Sequence, residues 1–474
     1  LFATGATSRM GRVEDGNTVS DYEPEEIRRR SSNQMALLPC LWKDHKINLI
    51  DTPGYVDFLG EVLSGLRVAD GAVVVVAAPS GIEGGTEQMW ELLDQRALPS
   101  ILFVNKMDRE NSDYRQTVAA LQQRFGRKCV PTHIPIGSEA NLRGVVNILA
   151  TGQDYPPELA QTIEEARERL VEAVAESDDD LANKYLEGET ISTEAELKAG
   201  LRKGIALGQI VPILGGSGTL GIGVNELLDA LIDYMPSPEE VEPPVATNTA
   251  NQQQETLQTG AADRLAALVF KTSADPFVGR LSFFRVYSGT LTSDSQVWNT
   301  RKGQAERIAQ LFIPRGKSQE LVPQVSMGDI GVVAKLSFTT TGDTLGQREH
   351  PWVLPGISFP EAHHTVAVYP KSKQDVDKMS TALSRIAEED PSLRVYREPD
   401  TGEVLLAGLG DTHVEVAAQK ILRKFGTDLS LQTPRVPYKE TITTVTKVEY
   451  KHRKQTGGHG QYGHVFLELE PLGR

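Results

Sequence analysis

Asp51 ends a short apolar stretch, Ile47–Ile50, and Thr52-Pro53-Gly54 follow it. A carboxylate at the carboxyl end of a sheet strand can hold a hydrated Mg²⁺, and the N–H of Gly54 can donate to a terminal phosphate oxygen. The pattern D-x-x-G is short, so a turn that merely ends a strand is an equal alternative. The motif indicates a phosphate and Mg²⁺ site only if other motifs support it.

Asn105-Lys106-Met107-Asp108 follows a second apolar stretch, Ile101–Val104, and these residue types suit a guanine base. The Asp108 carboxylate can accept from both N1–H and the exocyclic amino group. Asn105 can bond the O6/N7 edge, and the stem of Lys106 can cover the base. Adenine lacks the paired donors and would leave the carboxylate unsatisfied. The motif predicts guanine selection, and a capped surface turn is the alternative.

Gly216-Ser217-Gly218 follows the strand-like stretch Pro212–Gly215 and precedes a helical pattern from Gly223. Backbone amides in such a turn could bond the base O6, although glycine-rich turns of this kind are common. Taken together, the three strand-end motifs, in this order, predict a GTP-binding domain.

These motifs need a parallel sheet to position them. The first 235 residues alternate apolar runs with helical spacing, which predicts strands at Ile47–Ile50, Ala72–Ala78 and Ser100–Val104 in one doubly wound sheet. Later runs change to β-rich and then to β-α-β-β-α-β order. The predicted fold class is multidomain α/β and β. We predict an α/β GTP-binding domain at 1–238 with a helical insert at about 139–206, a linker at 239–262 too polar to bury much surface, a β-barrel at 263–355, a ferredoxin-like α+β domain at 360–433, and the start of another α+β domain at 434–474.

Composition excludes several classes of protein. A length of 474 residues exceeds one hydrophobic core, and 39% apolar with 24% charged residues is ordinary for globular domains. The longest apolar run, Ala72–Ala78, is too short to cross a membrane, so we expect no membrane association. Two cysteines exclude a disulfide scaffold and fit a cytoplasmic protein. The net charge of −15 discourages nucleic-acid binding, but residues 435–474 carry seven Lys or Arg against four Glu.

No G-x-x-x-x-G-K-[ST] phosphate loop occurs in the 474 residues. In this type of domain the loop lies on the first strand, which would be upstream of Leu1. We therefore expect the chain to be truncated at both ends, and to be inactive and to bind nucleotide poorly without the missing segment.

These motifs, together with Cys40–His45, Ile232–Pro238, Gly408–Glu415 and the run Lys451–Val465, resemble bacterial elongation factor G over essentially the whole chain. The resemblance implies a translational GTPase that binds GTP or GDP with Mg²⁺ and acts on the ribosome in translocation or recycling. It also implies a monomer whose partners are ribosomal RNA, ribosomal proteins and the tRNA–mRNA complex at the decoding region.

The residue after the D-T-P-G motif departs from the family, which usually has His there to orient the attacking water; here it is Tyr55. A phenol can donate and accept a hydrogen bond but cannot carry positive charge near neutrality. The resemblance therefore implies catalytic roles for Gly54 and Tyr55, with slowed GTP hydrolysis. The alternative is that Tyr55 is only a loop aromatic. A Tyr here resembles the second, paralogous group of elongation-factor-G-like proteins.

A second departure lies in the switch segment, where the family has R-G-I-T-I and this chain has Arg29-Arg30-Ser31-Ser32-Asn33. Counting back from Trp42 places Ser32 at the Mg²⁺-ligating threonine, so the expected metal ligands are Ser32 and Asp51. Without the family's Gly and Ile residues, a disordered basic loop is as plausible as a working switch.

The C-terminal run matches the family's loop that enters the decoding region. The expected RNA-contacting residues are Lys451, Arg453, Lys454, Gly457, Gly458, His459, Gly460 and Gln461. His459 replaces the usual Arg and removes one fixed positive charge. The alternative is a glycine-rich hairpin turn without a partner.

The sequence thus favours an elongation-factor-G-like GTPase. Two other functions stay open: a ribosomal-protection or release-type translational GTPase, which the run Gly457–Gly463 disfavours, and a non-hydrolysing, GTP-dependent ribosome-binding factor, which Tyr55 and the altered switch favour.

Overall fold

The strands of the first domain are short apolar runs whose side chains alternate between two faces of a sheet. A computed structural model describes residues 1–150, 152–186, 194–275 and 279–471. Ile101 and Phe103 join a core cluster on one face, and Leu102 and Val104 join another on the opposite face. Helices cover both faces, so the prediction of a doubly wound α/β domain is confirmed.

In chain order, the elements of this domain are α1 (Pro24–Arg29), β1 (Ala36–Trp42), β2 (His45–Asp51), α2 (Leu59–Arg67), β3 (Ala72–Ala77), α3 (Gly84–Gln95), β4 (Ser100–Asn105), α4 (Tyr114–Phe125), β5 (Cys129–Pro131), β6 (His133–Ile136), β7 (Gly144–Asn147), α5 (Ala160–Glu176), α6 (Asp179–Leu186), α7 (Glu194–Ala206), β8 (Val211–Gly215) and α8 (Val224–Tyr234). Short 3-10 turns lie at Val56–Phe58, Glu139–Asn141 and Pro157–Leu159. The parallel sheet has the order β3-β4-β8-β5.

The prediction that Ile47–Ile50 joins this parallel sheet is wrong. Among the described residues, β2 pairs only with β1, in an antiparallel hairpin that sets Ala36 opposite Asp51. The hairpin buries Leu37 and Ile50 against apolar residues of the next domain, such as Phe270. Burial against that domain therefore fixes the position of β2.

The segment 239–262 is not a plain linker, because it contains β9 (Val245–Asn248) and β10 (Gln253–Thr256). These strands form a three-stranded sheet with β21 (Trp352–Val353). Ala246 in β9 and Leu257, directly after β10, are buried in one core cluster with Trp352. The prediction that this segment buries little surface is wrong, because a strand from about 100 residues downstream completes its sheet.

The second domain is β-rich, as predicted. Its strands are β11 (Ala266–Asp275), β12 (Gly279–Ser288), β13 (Thr290–Thr292), β14 (Ser295–Asn299), β15 (Gln304–Ile308), β16 (Leu311–Arg315), β17 (Ser318–Val322), β18 (Gln324–Ser326), β19 (Ile330–Ala334) and β20 (Thr344–Gly346). Eight of them form one antiparallel sheet, β15-β14-β20-β11-β12-β19-β16-β17. Ile308 and Leu311, near opposite edges, share one core cluster, so the sheet curls around that core.

The third domain has the predicted ferredoxin-like plan. Its elements are β22 (His364–Pro370), α9 (Lys373–Glu389), β23 (Arg394–Arg397), β24 (Val404–Gly408), α10 (Asp411–Phe425) and β25 (Leu429–Gln432), with sheet order β23-β24-β22-β25. A hairpin of β26 (Thr446–Thr456) and β27 (His459–Leu469) follows. No helix within the described ranges is both long and apolar enough to span a bilayer.

Burial of His133 on β6 makes the stability of the first domain depend on pH. The side chain is buried, and burial lowers its pKa to about 4, well below the ordinary value of 6.5. Between those two values the unfolded chain binds a proton that the folded domain does not bind. The free energy of unfolding therefore falls as pH drops from 6.5 towards 4.

Because of His133, we expect the free energy of unfolding at pH 5.0 to be about 2 kcal/mol lower than at pH 7.5. Urea denaturation of wild type and His133→Asn at the two pH values measures this, and His133→Asn should lose that part of the pH dependence. Exposed His45 gives the control, because His45→Asn should keep the wild-type difference. An equal pH difference in all three proteins would contradict the assignment.

Candidate functional site

The second and third motifs meet because β4 and β8 are parallel neighbours. Val104 lies opposite Gly215, so the residues after each strand emerge at the same edge of the sheet. Met107 N–H donates to the Gly216 carbonyl at 3.1 Å, and Asn105 Oδ1 accepts from Gly218 N–H at 2.9 Å. The structure therefore brings the two predicted base-binding motifs together and joins them by hydrogen bonds.

Asp108 presents a carboxylate oxygen that needs a donor. Oδ2 lies 3.6 Å from Nε of Arg109, whereas Oδ1 is buried and has no hydrogen-bond partner in the described part of the chain. Leaving such an oxygen unpaired costs about 1–3 kcal/mol. The adjacent N–H donors on the Watson–Crick edge of guanine match this need, so the residues present fit a guanine nucleotide.

Two of the residues predicted to contact the nucleotide, Met107 and Ser217, are instead buried and stabilise the surrounding structure. The Met107 side chain is buried in the core, and its carbonyl accepts from Glu139 N–H at 2.8 Å. Ser217 is fully buried, and its hydroxyl accepts from Leu220 N–H at 3.1 Å. By contrast, Lys106 is exposed and has a left-handed backbone (φ +61°), which leaves its side chain free to approach a ligand.

Asp51 and Ser32 both lie near Asp21, a residue that the sequence motifs did not indicate. Ser32 Oγ donates to Asp21 Oδ1 at 2.7 Å. Asp51 has exposed surface, but packing around its carboxylate raises its pKa; a hydrogen bond from Ser20 opposes this rise and the negative charge of Asp21 adds to it. Hydroxyl and carboxylate oxygens are ligands that Mg²⁺ prefers, so the donor set fits this ion.

Within the described ranges, no group of three or more His, Cys, Asp or Glu side chains is arranged to hold a metal ion. A Mg²⁺ ion at Ser32 and Asp51 would therefore take its other ligands from water and phosphate, as Mg²⁺ usually does. The alternative that the switch segment is a disordered basic loop is wrong. α1 ends in this segment at Arg29 and contacts the third domain, and the N–H groups of Ser31 and Asn33 both donate to Glu26.

The loop after Asp51 leaves its predicted phosphate-sensing residues accessible. Thr52 is half-buried and Pro53 buried, while Gly54 and Tyr55 are exposed, Tyr55 by 50%. A Cβ at Gly85, in the first turn of α3, would lie 3.7 Å from the Gly54 carbonyl. Because α3 follows β3, and β3 pairs with β4, Gly54 lies at the same end of the sheet as Asn105.

Downstream of Tyr55 the loop is fixed by the third domain. Asp57 accepts from the His413 N–H at 3.3 Å, and Phe58 packs edge-on against the His413 ring. A Cβ at Gly410 would lie 2.3 Å from the Asp57 carboxylate, so only glycine allows this approach. In the sequence, the Gly408–Glu415 run supports only the family resemblance, and no local signal marks Asp57 as its partner.

The three domains meet around a cavity of about 20 Å³ lined by Asn33, Phe58, Lys271, Glu389 and His413, among others. Glu61 on α2 forms a buried ion pair with Lys271 on β11, with 2.5 Å between Oε2 and Nζ. His413 Nδ1 accepts from the Leu409 N–H at 3.1 Å, so the ring carries its proton on Nε2. Nε2 donates to Oδ2 of Asp390 at 2.8 Å.

The predicted RNA-contacting residues lie on the C-terminal hairpin. Lys451, Arg453 and Lys454 are exposed on β26, and Gly457 and Gly458 form its tip. Gly460 and Gln461 lie in β27 and are exposed, whereas the side chain of His459, the first residue of β27, lies outside the described residues. The Arg453 guanidinium stands 5.6 Å from the Tyr462 ring centroid, which pairs a cation with an aromatic face.

Comparisons with known proteins match this architecture. Residues 1–237 match the family model described as the elongation factor Tu GTP binding domain. Residues 264–348, 359–433 and 434–474 match the models for elongation factor G domain 2, domain III and domain IV. A crystal structure of a protein from Thermus thermophilus is similar with a TM-score of 0.86 and 33% identity, over 99% of this chain and 70% of that chain. The chain therefore belongs to the elongation factor G family of translational GTPases.

Proposed function

We propose that the full-length protein binds GTP and GDP at the edge of the parallel sheet. Asn105, Lys106, Asp108 and the amides of residues 216–218 would hold the base. The observation that carries this proposal is the buried, unpaired Oδ1 of Asp108 beside the joined motifs. Adenine would leave this oxygen without its paired donors, which gives the site its selectivity.

Asp51 and Ser32 would hold Mg²⁺ at the phosphates, near Thr52 and Pro53. Bound Mg²⁺ supplies positive charge that neutralises phosphate oxygens. Gly54 would donate its N–H to the third phosphate, and Tyr55 would contact the water that attacks it, giving GDP and phosphate. Since a phenol cannot supply a positive charge, hydrolysis would be slower than with a histidine.

Factors of this family act on the ribosome, and we propose the same partner here, in translocation or recycling, for a cytoplasmic monomer. The exposed cations of β26 and the glycine tip would contact RNA at the decoding region. Loss of the third phosphate would release the switch segments and allow the domains to rotate. The second candidate, a GTP-dependent ribosome-binding factor without hydrolysis, is favoured by the exposed Tyr55 in place of histidine.

Asp108→Asn should change base selection, because an amide presents a donor where guanine also presents donors. We expect the ratio of GTP to xanthosine-triphosphate affinity to fall by at least about a hundredfold. Competition of both nucleotides against labelled GDP measures this ratio. Exposed Glu110 gives the control: Glu110→Gln should keep the wild-type ratio, and an unchanged ratio in Asp108→Asn would refute the base assignment.

Tyr55→His should raise ribosome-stimulated phosphate release at least about tenfold, because a positioned general acid or base contributes factors of this size or larger. Tyr55→Phe should lower release if the hydroxyl contacts the attacking water. A wild type that hydrolyses no GTP but is rescued by histidine would favour the second candidate. No response to either substitution would show that Tyr55 is a loop aromatic only.

Gly216→Ala and Gly218→Ala form a matched pair. A Cβ at Gly216 would lie 2.2 Å from the Ile222 carbonyl oxygen, whereas a Cβ at Gly218 would meet only Asn105 atoms at 3.6 Å or more. We expect Gly216→Ala to lower GDP affinity at least about tenfold and to lower the thermal midpoint, and Gly218→Ala to change both much less. Calorimetric titration and thermal unfolding measure the two effects, and equal effects would contradict this interpretation of the loop.

A further inference from the structure

Glu26 on α1 is a fully buried carboxylate around which the switch segment folds. Its Oε1 accepts from Asn33 N–H at 3.0 Å and from Gln34 N–H at 3.2 Å. Its Oε2 accepts from Glu23 N–H at 3.1 Å, so both oxygens are used.

The next amide in the chain goes to a second carboxylate. Met35 N–H donates to Glu61 Oε2 at 2.9 Å, and the same oxygen is paired with Lys271. Three consecutive backbone N–H groups, of residues 33–35, are thus held by two acidic side chains. The chain directly after Ser32 therefore has one defined path, without the family's Gly and Ile residues.

This path determines where Ser32 lies. The Ser31 N–H donates to the Glu26 carbonyl at 3.3 Å, and Asn33 is held by the Glu26 side chain. Glu26 therefore holds the residues on both sides of Ser32. The Ser32 hydroxyl donates to Asp21, which lies near Asp51. Some groups do not touch a metal ion but hydrogen-bond to its ligands and orient them. Removing such a group typically lowers metal affinity by about 10–100-fold.

We propose that Glu26 is the positioning residue that sets Ser32 at the Mg²⁺ site of the GTP-bound protein. This inference rests on the proposed function of Ser32 as a ligand. Glu26 would not contact the metal or the nucleotide. It would act through the backbone of residues 31–34, and it takes over the ordering that glycine and isoleucine provide elsewhere in the family.

The test uses the full-length protein as wild type, Glu26→Gln and Glu26→Ala. Gln keeps one oxygen acceptor and removes the charge, while Ala removes every acceptor. Hydrogen exchange by mass spectrometry follows the peptide covering residues 31–37 without nucleotide. We expect exchange to rise at least about tenfold in Ala and by less in Gln. Glu25→Gln is the matched control, because the Glu25 carboxylate binds Arg423 on α10 rather than residues 33–34.

The second readout is the Mg²⁺ concentration required for half-maximal binding of GTP and of GDP. We expect Glu26→Ala to raise the Mg²⁺ requirement for GTP at least about tenfold. The requirement for GDP should stay nearly unchanged, because contacts of the third phosphate and Mg²⁺ hold the switch segments of GTPases, and hydrolysis releases them. A merely structural role would raise both requirements equally and would overturn the proposal, as would unchanged exchange in a folded Glu26→Ala protein. If wild type binds no GTP, the proposed function fails, while the exchange result still reports on Glu26. If the Ala variant does not fold, the Gln variant decides by the same criteria.

Discussion

The Glu61 carboxylate is the interaction that ties both the switch segment and α2 of the first domain to the second domain. It accepts the Met35 N–H and pairs with Lys271 in a site where both side chains are largely buried. Removing one partner of such a pair costs about 3–5 kcal/mol, because a charge is left buried without compensation. Met35 follows the segment that carries Ser32, and α2 follows the loop that carries Gly54. Both phosphate-side segments are therefore tied to the second domain at a single side chain.

The third domain also contacts these two parts of the chain, the start of α1 before Ser32 and the loop after Gly54. Arg423 on α10 pairs with Glu23 and Glu25 at the start of α1, and the His413 N–H holds Asp57. Glu25 is buried and forms a bidentate pair with Arg423, with Nε 2.9 Å from Oε1 and Nη2 3.1 Å from Oε2, and the His413 contact is buried as well. The third domain therefore binds a buried carboxylate in each segment, Asp57 in the loop after Tyr55 and Glu25 at the start of α1.

The sequence predicted those parts of the site that depend on local patterns. Asn105–Asp108 and Gly216–Gly218 could be recognised because each follows a buried strand, and parallel strands bring their carboxyl ends together. The partner of β2 could not be predicted, because the pairing of Ala36 with Asp51 is decided by burial against the second domain. Trp352 likewise completes the sheet of β9 from a distance of about a hundred residues.

Contacts between domains could not be predicted from local sequence patterns either, because they join residues that are far apart in the chain. Glu23 and Arg423 are 400 residues apart, and neither stands out from ordinary surface charge in the sequence. No sequence motif includes Glu26, yet it is fully buried, and burial raises its pKa to about 7. Only the folded chain shows that its carboxylate has three backbone donors within reach.

The two halves of the proposed nucleotide site belong to different parts of the molecule. Asn105, Asp108 and the 216–218 turn are built on the parallel sheet, whose strands are fixed by cores on both faces. Asp51 and Ser32 are carried by the β1–β2 hairpin and the segment after α1. The hairpin touches α8 near its turn, but along its sides it is held by the second domain, where Lys46 and Asn48 both contact Asp329.

A nucleotide whose base is held by the sheet and whose phosphates are held through Mg²⁺ at Asp51 and Ser32 would bridge these two parts. Any change at its phosphate end would then act directly on elements that the second and third domains already hold, through Glu61, Asp57 and α1. No separate relay through the sheet is needed, because the parallel strands serve only to anchor the base. This division explains how one small ligand could set the orientation of the domains that carry the basic hairpin.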